Sequence, residues 1–218
     1  MAASATRSDL RAFNPVRKRV LDLVLLVPIL LVAGPLMALV ALAIWLCDGR
    51  PILFRQVRLG MGGRPFEMLK FRTMRPASDA AHREYAARWI EQGRPFSDGD
   101  GAVYKMADDP RITRLGAILR RFSLDELPQL INVVRGEMSL IGPRPAIPYE
   151  VEHYQPWHRR RLEAPPGLTG LWQVSGRNRL SFDEMVRLDI DYIDHWSVAR
   201  DLAILARTPR AVLAGEGR

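Results

Sequence analysis

The sequence predicts a mixed α/β fold: a mostly helical cytoplasmic domain with one short β-hairpin, anchored by an N-terminal apolar membrane helix. Three observations predict it. An uninterrupted apolar run lies near the N-terminus, an alternating apolar pattern is broken by a glycine-rich turn, and several stretches pair helix-start residues with helical spacing. The chain has 218 residues, enough for one domain with an appendage and its own core but not for two large domains.

The anchor comes first. From Leu23 to Cys47 there are 25 consecutive uncharged residues. As a straight helix the run would reach roughly 37 Å, against roughly 30 Å for the hydrocarbon core of a bilayer. Arg17, Lys18 and Arg19 precede it, as in a signal peptide, but the run is too long for one and no small-residue cleavage site follows. Both flanks are basic, with Arg7, Arg11, Arg17, Lys18 and Arg19 before it and Arg50, Arg55, Arg58 and Arg64 after it. Positive charge marks the cytoplasmic side, so both flanks satisfy that tendency only if the segment turns back within the membrane. Pro28 and the Gly34-Pro35 pair offer a break for such a re-entrant helix, while a kinked single span is the alternative. The division read from this is a basic segment over 1–19, a membrane helix over 20–47 and a cytoplasmic domain over 48–218.

The hairpin follows. Ile52, Phe54 and Val57 lead to a glycine-rich turn, and Phe66, Met68, Leu69 and Phe71 come after it. Residues 79–92 have helix-forming composition, and GRPFSDGDG behind them reads as a loop. In DPRITRLGAILRRF, Asp109 is placed to cap a helix with Pro110 in its first turn and Ile112, Leu115, Ile118, Leu119 and Phe122 as its apolar stripe. A second helix is expected from Ser123, because Ser123-Leu124-Asp125-Glu126 fits a capping box, with Gly136 at its end. The turn-rich stretches PRP, PPG and GLWQVSGRN come next, then an amphipathic region from Phe182 to Leu205. The Gly-x-Gly-x-x-Gly fingerprint of a dinucleotide fold is absent.

Composition narrows the partners. Lys+Arg 32 against Asp+Glu 24 gives a formal charge of +8, which favours something anionic: nucleic acid, lipid surface or phosphorylated substrate. No nucleic-acid-binding motif is present, and such a role leaves the apolar run unexplained. The lone Cys47 excludes an internal disulfide. His82, His153, His158 and His195 show no zinc spacing, and Ser139 and Ser175 lack a nucleophile's setting.

Asp125 and Glu126 are the residues with the most chemistry to offer. Capping alone would explain two carboxylates at a helix start. The same place, however, suits an ionised nucleophile, a phosphate and a magnesium ion, which takes hard oxygen ligands. Lys70, Arg72, Arg120 and Arg144 are nearby cations for a diphosphate, with Arg177 ranked below Arg144. Trp172 and Gln173 read as loop packing or as contacts to a base or sugar, and Asp189 and Asp191 as a solvated helical face or as support for the site from a helix.

The strings KRVLD (18–22), QVRLG (56–60), KFRTM (70–74), DPRITRLG (109–116), SLDELPQLINVVRGEMSLIGPRP (123–145), PPGLTGLWQVSGR (165–177) and DYIDHWS (191–197) resemble the bacterial sugar transferase family, the monotopic phosphoglycosyl transferases. The resemblance implies a small domain seated on a re-entrant membrane helix at the cytoplasmic face of the bacterial inner membrane. It implies a ping-pong reaction in which Asp125 attacks the β-phosphate of a UDP-sugar, expels UMP and passes the phosphosugar to undecaprenyl phosphate. Mg²⁺ would be held by Asp125 and Glu126, with Glu126 as ligand or base. The partners are then a UDP-sugar, undecaprenyl phosphate and membrane lipid, with no nucleic acid; homo-oligomers are compatible with this. The product would open the synthesis of an exopolysaccharide, capsule, O-antigen or glycoconjugate. A non-catalytic scaffold that binds anionic lipid explains the charge and the apolar run but gives no reason for the constellation around Asp125.

Overall fold

The computed structural model describes residues 13–75, 80–92, 111–176 and 180–213. A long helix, α1 (Pro15–Asp48), leads into a hairpin of β1 (Leu53–Leu59) and β2 (Pro65–Phe71), followed by α2 (Ala80–Gln92). Then come α3 (Arg114–Arg121), a single 3₁₀ turn (Leu124–Glu126), α4 (Gln129–Arg135) and a short strand β3 (Ser139–Ile141). The last part holds α5 (Pro148–Glu152), a 3₁₀ helix (Pro156–Glu163), β4 (Gly167–Thr169), α6 (Leu171–Ser175), α7 (Phe182–Asp194) and α8 (Val198–Leu213). The hairpin pairs antiparallel in a register from Leu53 opposite Phe71 to Leu59 opposite Pro65, as the alternation predicts. β3 and β4 form a separate parallel pair that the sequence did not announce. Three-residue strands are too short to show a period of two.

From Leu23 to Cys47, α1 is apolar on every face. Leu31 and Val32 are 75% and 77% exposed, and Val24, Val27, Leu39 and Leu46 are exposed as well. A helix of this kind is stable in a lipid or protein interior, not in water. It is the one helix among the described residues long and apolar enough to cross a membrane. The expected break is not there: α1 runs through Pro28 and Pro35 as one helix. Each proline removes one amide donor, which a flanking helix absorbs as a local kink without terminating.

Both ends of α1 are tied to the same domain. Near the N-terminus, Lys18 and Asp22 are buried, Asp22 accepts from Ser139 Oγ at 3.0 Å, and the Arg19 fork donates to the carbonyls of Val133 and Val134 at the end of α4. Near the C-terminus, Val40 and Ile44 pack with Phe71 and Leu119, Thr113 donates to Asp48 at 3.0 Å, and Arg72 donates to the carbonyls of Asp48 and Gly49.

Two helix starts differ from expectation. The first lies at Thr113, whose hydroxyl accepts from the Gly116 amide at 2.9 Å; Asp109 and Pro110 fall outside the described residues. Ile112 is taken into a bridge with Met74, so it cannot belong to the helical stripe. Gly116 permits this junction, because a Cβ there would stand 2.2 Å from the Thr73 carbonyl oxygen. The second start is delayed to Gln129. Ser123 takes a left-handed conformation (φ 55°) and makes no side-chain cap, so the capping box does not form. Gly136, also left-handed (φ 79°), closes α4 as predicted.

The core lies where α4, β2, β3, α7 and α8 meet, around Leu130, Val133, Leu140, Tyr192 and Ile204. Asn132 welds α4 to the hairpin: its Oδ1 accepts from the Leu69 amide at 3.0 Å and its Nδ2 donates to the Glu67 carbonyl at 2.7 Å. That places the 3₁₀ turn before α4 beside β2. GLWQVSG, read as a turn, contains the short helix α6, and the terminal amphipathic region is two helices with a joint at His195–Ser197. Ser181 and Glu184 supply a true capping box for α7.

Candidate active site

The acidic pair sits on the 3₁₀ turn between α3 and α4. Phe122 ends α3, the Ser123 amide reaches back to the Arg120 carbonyl, and the left-handed Ser123 reverses the chain. Leu124–Glu126 then close one tight turn. A serine with positive φ costs about 1–2 kcal/mol relative to ordinary backbone, and such strain concentrates at functional sites. Its effect here is to set Asp125 almost wholly inside, at 8% exposure, while Glu126 remains reachable from solvent.

Lys70 is a cation that the fold brings to this pair. Its ammonium donates to Glu126 Oε1 at 3.0 Å, with both side chains partly exposed. The other expected cations lie elsewhere or are engaged. Arg72 holds the end of α1, and Arg120 reaches Met74 Sδ at 3.2 Å. Arg144 forms a fork with Glu150, at 3.0 and 3.2 Å. Arg177 lies outside the described residues.

The Pro143-Arg144-Pro145 turn is held by residues that the sequence reading did not single out for the site. Arg58 donates to the Pro145 carbonyl at 2.9 Å, and Arg161 donates to the Arg144 carbonyl at 3.3 Å and to Asp189 at 2.5 Å. Asp189 is therefore a buried partner of the turn and not part of a solvated face. It faces inward because α7 packs this side against the 3₁₀ helix at Pro156–Glu163. Burial pushes the Asp189 carboxyl up to about 6 against the pull of Arg161. Burial opposes ionisation of Glu150 too, but Arg144, Arg58 and the Ile147 amide overcome it and hold its carboxyl below the usual range. The clue to Arg58 is its place: a charged residue inside an alternating strand, two positions from Gln56, is on the same face as its polar neighbour.

Asp125 and Glu126 offer adjacent hard oxygen donors. Among the described residues no group of three or more His, Cys, Asp or Glu is arranged to hold a metal. This donor set fits Mg²⁺, which uses one or two carboxylates and completes its shell with water and substrate phosphates. Trp172 packs into the cluster of Trp89, Phe182 and Val186, as the packing reading expects.

The chain belongs to the bacterial sugar transferase family, whose model matches residues 13–215. It is 38% identical to the exopolysaccharide production protein ExoY of Sinorhizobium fredii, over 98% of each chain. It is 44% identical to the UDP-glucose:undecaprenyl-phosphate glucose-1-phosphate transferase of Caulobacter vibrioides, over 90% of this chain and 70% of that one. It is 40% identical to the undecaprenyl-phosphate galactose phosphotransferase of Salmonella typhimurium, matching 92% of this chain but 41% of the larger protein. The galactosyl transferase CpsE of Streptococcus agalactiae, 43% identical, is matched over 36% of its length.

Proposed function

We propose that the chain transfers a sugar 1-phosphate from a UDP-sugar to undecaprenyl phosphate, as a first membrane step of exopolysaccharide or related glycan synthesis. The observation that carries the reading is the Asp125 carboxylate, nearly buried on its strained turn beside the Lys70–Glu126 pair. An Asp125 oxygen attacks the β-phosphorus of the donor; the bond to the α-phosphate breaks and UMP leaves. A phosphate oxygen of the polyprenyl acceptor then attacks the same phosphorus, the bond to Asp125 breaks, and the product is a polyprenyl diphosphate sugar. A covalent relay suits a soluble donor and a membrane acceptor that need not occupy the site together. Asp125 and Glu126 would hold Mg²⁺, which supplies charge compensation for the diphosphate. Lys70 keeps Glu126 in place, and the names of the Caulobacter and Salmonella relatives support both substrates.

The domain lies on the cytoplasmic face of the inner membrane with α1 re-entrant. Support comes from the basic flanks and from the attachment of both ends of α1 to one domain, which a perpendicular crossing would separate.

The test uses purified protein in nanodiscs with Mg²⁺, a panel of UDP-sugars and undecaprenyl phosphate. UMP release and a labelled lipid are expected with at least one donor, and no labelled lipid with any donor would overturn the reading. Asp125→Asn should fold yet trap no phosphosugar adduct; an adduct in that variant would move the nucleophile elsewhere.

A further inference from the structure

Lys70 and Glu126 belong to elements that are bonded to each other through one side chain, Asn132. It stands in α4 and is fully buried, although asparagine suits a helix interior poorly because its amide competes for backbone bonds. What it bonds is the edge of β2. The Arg72 amide, one residue past β2, bonds the Ile52 carbonyl, one residue before β1. Backbone groups alternate in direction along a strand, so the Glu67 carbonyl and the Leu69 amide, at odd steps from Arg72, face away from β1. Asn132 Nδ2 donates to that carbonyl at 2.7 Å, and its Oδ1 accepts from that amide at 3.0 Å. A carbonyl and an amide two residues apart are the pair to which a further strand would bond. One primary amide thus stands in for a third strand.

These two bonds do what the apolar contacts cannot. Met68, Leu130 and Val133 share the core between β2 and α4, but such contact is non-directional and leaves the register of strand against helix open. Hydrogen bonds of fixed geometry close it. Glu137 Oε2 also accepts from Asn132 Nδ2, at 2.6 Å, and holds the amide in its plane. On one side, Lys70 directly follows Leu69. On the other, the Leu130 and Leu127 amides bond back to the Leu127 and Leu124 carbonyls, so the turn that carries Glu126 runs into α4 without a gap.

We propose that Asn132 is a positioning residue of the transferase site: its bonds to Glu67 and Leu69 set the register between hairpin and α4 at which Lys70 meets Glu126. This rests on the transferase reading above. The Lys70–Glu126 contact at 3.0 Å is the outcome of that register, since the pair itself is partly exposed and too weak to impose it.

The experiment follows Lys70 directly, in full-length protein in nanodiscs, by a pulse of acetic anhydride and peptide mass spectrometry. The chain has three lysines, Lys18, Lys70 and Lys105, so each is read separately. Lys18 is 1% exposed and gauges the fold. Glu126→Gln gives the reactivity of Lys70 without its carboxylate. Asn132→Asp keeps the size and the acceptor of the amide and loses its donor. Lys70 is expected to react about two- to fivefold faster in Asn132→Asp, as fast as in Glu126→Gln, the most a partly exposed ion pair holds back, with Lys18 still unreactive. UMP release in the presence of UDP-sugars and undecaprenyl phosphate is scored separately. Asn132→Asp should lower kcat/KM about tenfold, and adding Lys70→Met should bring it within about twofold of Lys70→Met alone, because a displaced lysine has little left to lose. Wild-type Lys70 reactivity in folded Asn132→Asp, or activity losses that multiply in the double variant, would overturn the proposal. Should Asn132→Asp not fold, Glu137→Ala frees the amide from its plane and is expected to raise Lys70 reactivity about twofold, with an unchanged rate counting against the proposal. A wild-type chain that makes no lipid product overturns the transferase reading, while the Lys70 rates still decide whether Asn132 seats Lys70 on Glu126.

Discussion

Lys70 Nζ and Glu126 Oε1 stand 3.0 Å apart, joining the end of the hairpin to the turn that carries Asp125. Both side chains are partly exposed, so the pair contributes under about 1 kcal/mol to stability. Its value lies in orientation. Lys70→Met should therefore leave the unfolding midpoint nearly unchanged and lower kcat/KM for the UDP-sugar by about tenfold or more, the effect of losing one charge-assisted contact. Thermal unfolding and UMP release, measured on the same preparation, separate the two; a loss of activity that only tracks a loss of stability would contradict the assignment.

Ser123 makes a second prediction because its φ of 55° is open to glycine at no steric cost. Ser123→Gly relieves about 1–2 kcal/mol of native strain and returns about 0.5–1 kcal/mol through the looser unfolded chain. The net result is a protein as stable as wild type or up to about 1.5 kcal/mol more so. Ser123→Val, branched at Cβ, should be destabilised by about 1–3 kcal/mol. If glycine proves clearly worse than serine in denaturant unfolding, the hydroxyl contributes something beyond backbone conformation.

The same residue shows where the sequence was legible and where it was not. An unbroken apolar run exposed α1, alternation the hairpin, and helix-forming composition the helix at 80–92. S-L-D-E matched a capping box by composition, but a cap needs Ser123 in extended backbone, and the turn out of α3 requires the opposite. Local pattern cannot see that competition. Asp125 and Glu126 were legible through their motif and Lys70 through KFRTM. Arg58, Glu150 and Arg161 were not, since the partners that tie them to the Pro143-Arg144-Pro145 turn and to α7 lie 6 to 87 residues away along the chain. A charge buried by a distant partner looks, in one dimension, like a charge in water.

His158 gives the fold a pH dependence. Its Nδ1 accepts from the Gln155 amide at 3.1 Å, so Nε2 carries the proton and donates to Asp183 at 3.1 Å. The ring is neutral, and burial lowers its pKa from 6.5 in spite of Asp183. The unfolded chain then binds a proton that the folded chain refuses, so stability is full above pH 6.5 and declines as pH falls below it. Glu150, held below its ordinary 4.5, adds a second loss once pH falls through 4.5. Asp189, raised to about 6, works the other way as pH falls through 6, so the measure is the difference between variants: from pH 7.5 to pH 5 the denaturant midpoint of the wild type should fall relative to that of His158→Gln. An equal decline in both would assign the effect to another group.

Lys18 supports the last prediction, which concerns how the apolar helix is held. Its ammonium lies 2.8 Å from Asp22 and 3.0 Å from Asp201, all three buried. Asp22 also accepts from Ser139 Oγ and the Leu140 amide; Asp201 accepts from Tyr192 Oη at 2.7 Å and Trp196 Nε1 at 3.2 Å. One cation thus compensates two carboxylates that join α1 to β3 and α8. Lys18→Met leaves both acids without it and should cost about 3–5 kcal/mol. Asp201→Asn leaves a balanced Lys18–Asp22 pair and an amide that still bonds its aromatic neighbours, for about 1–2 kcal/mol. Chemical unfolding in detergent checks the order. If Asp201→Asn proved the more damaging, hydrogen bonding to Tyr192 and Trp196, and not charge compensation by Lys18, would be what fastens α1 to the domain.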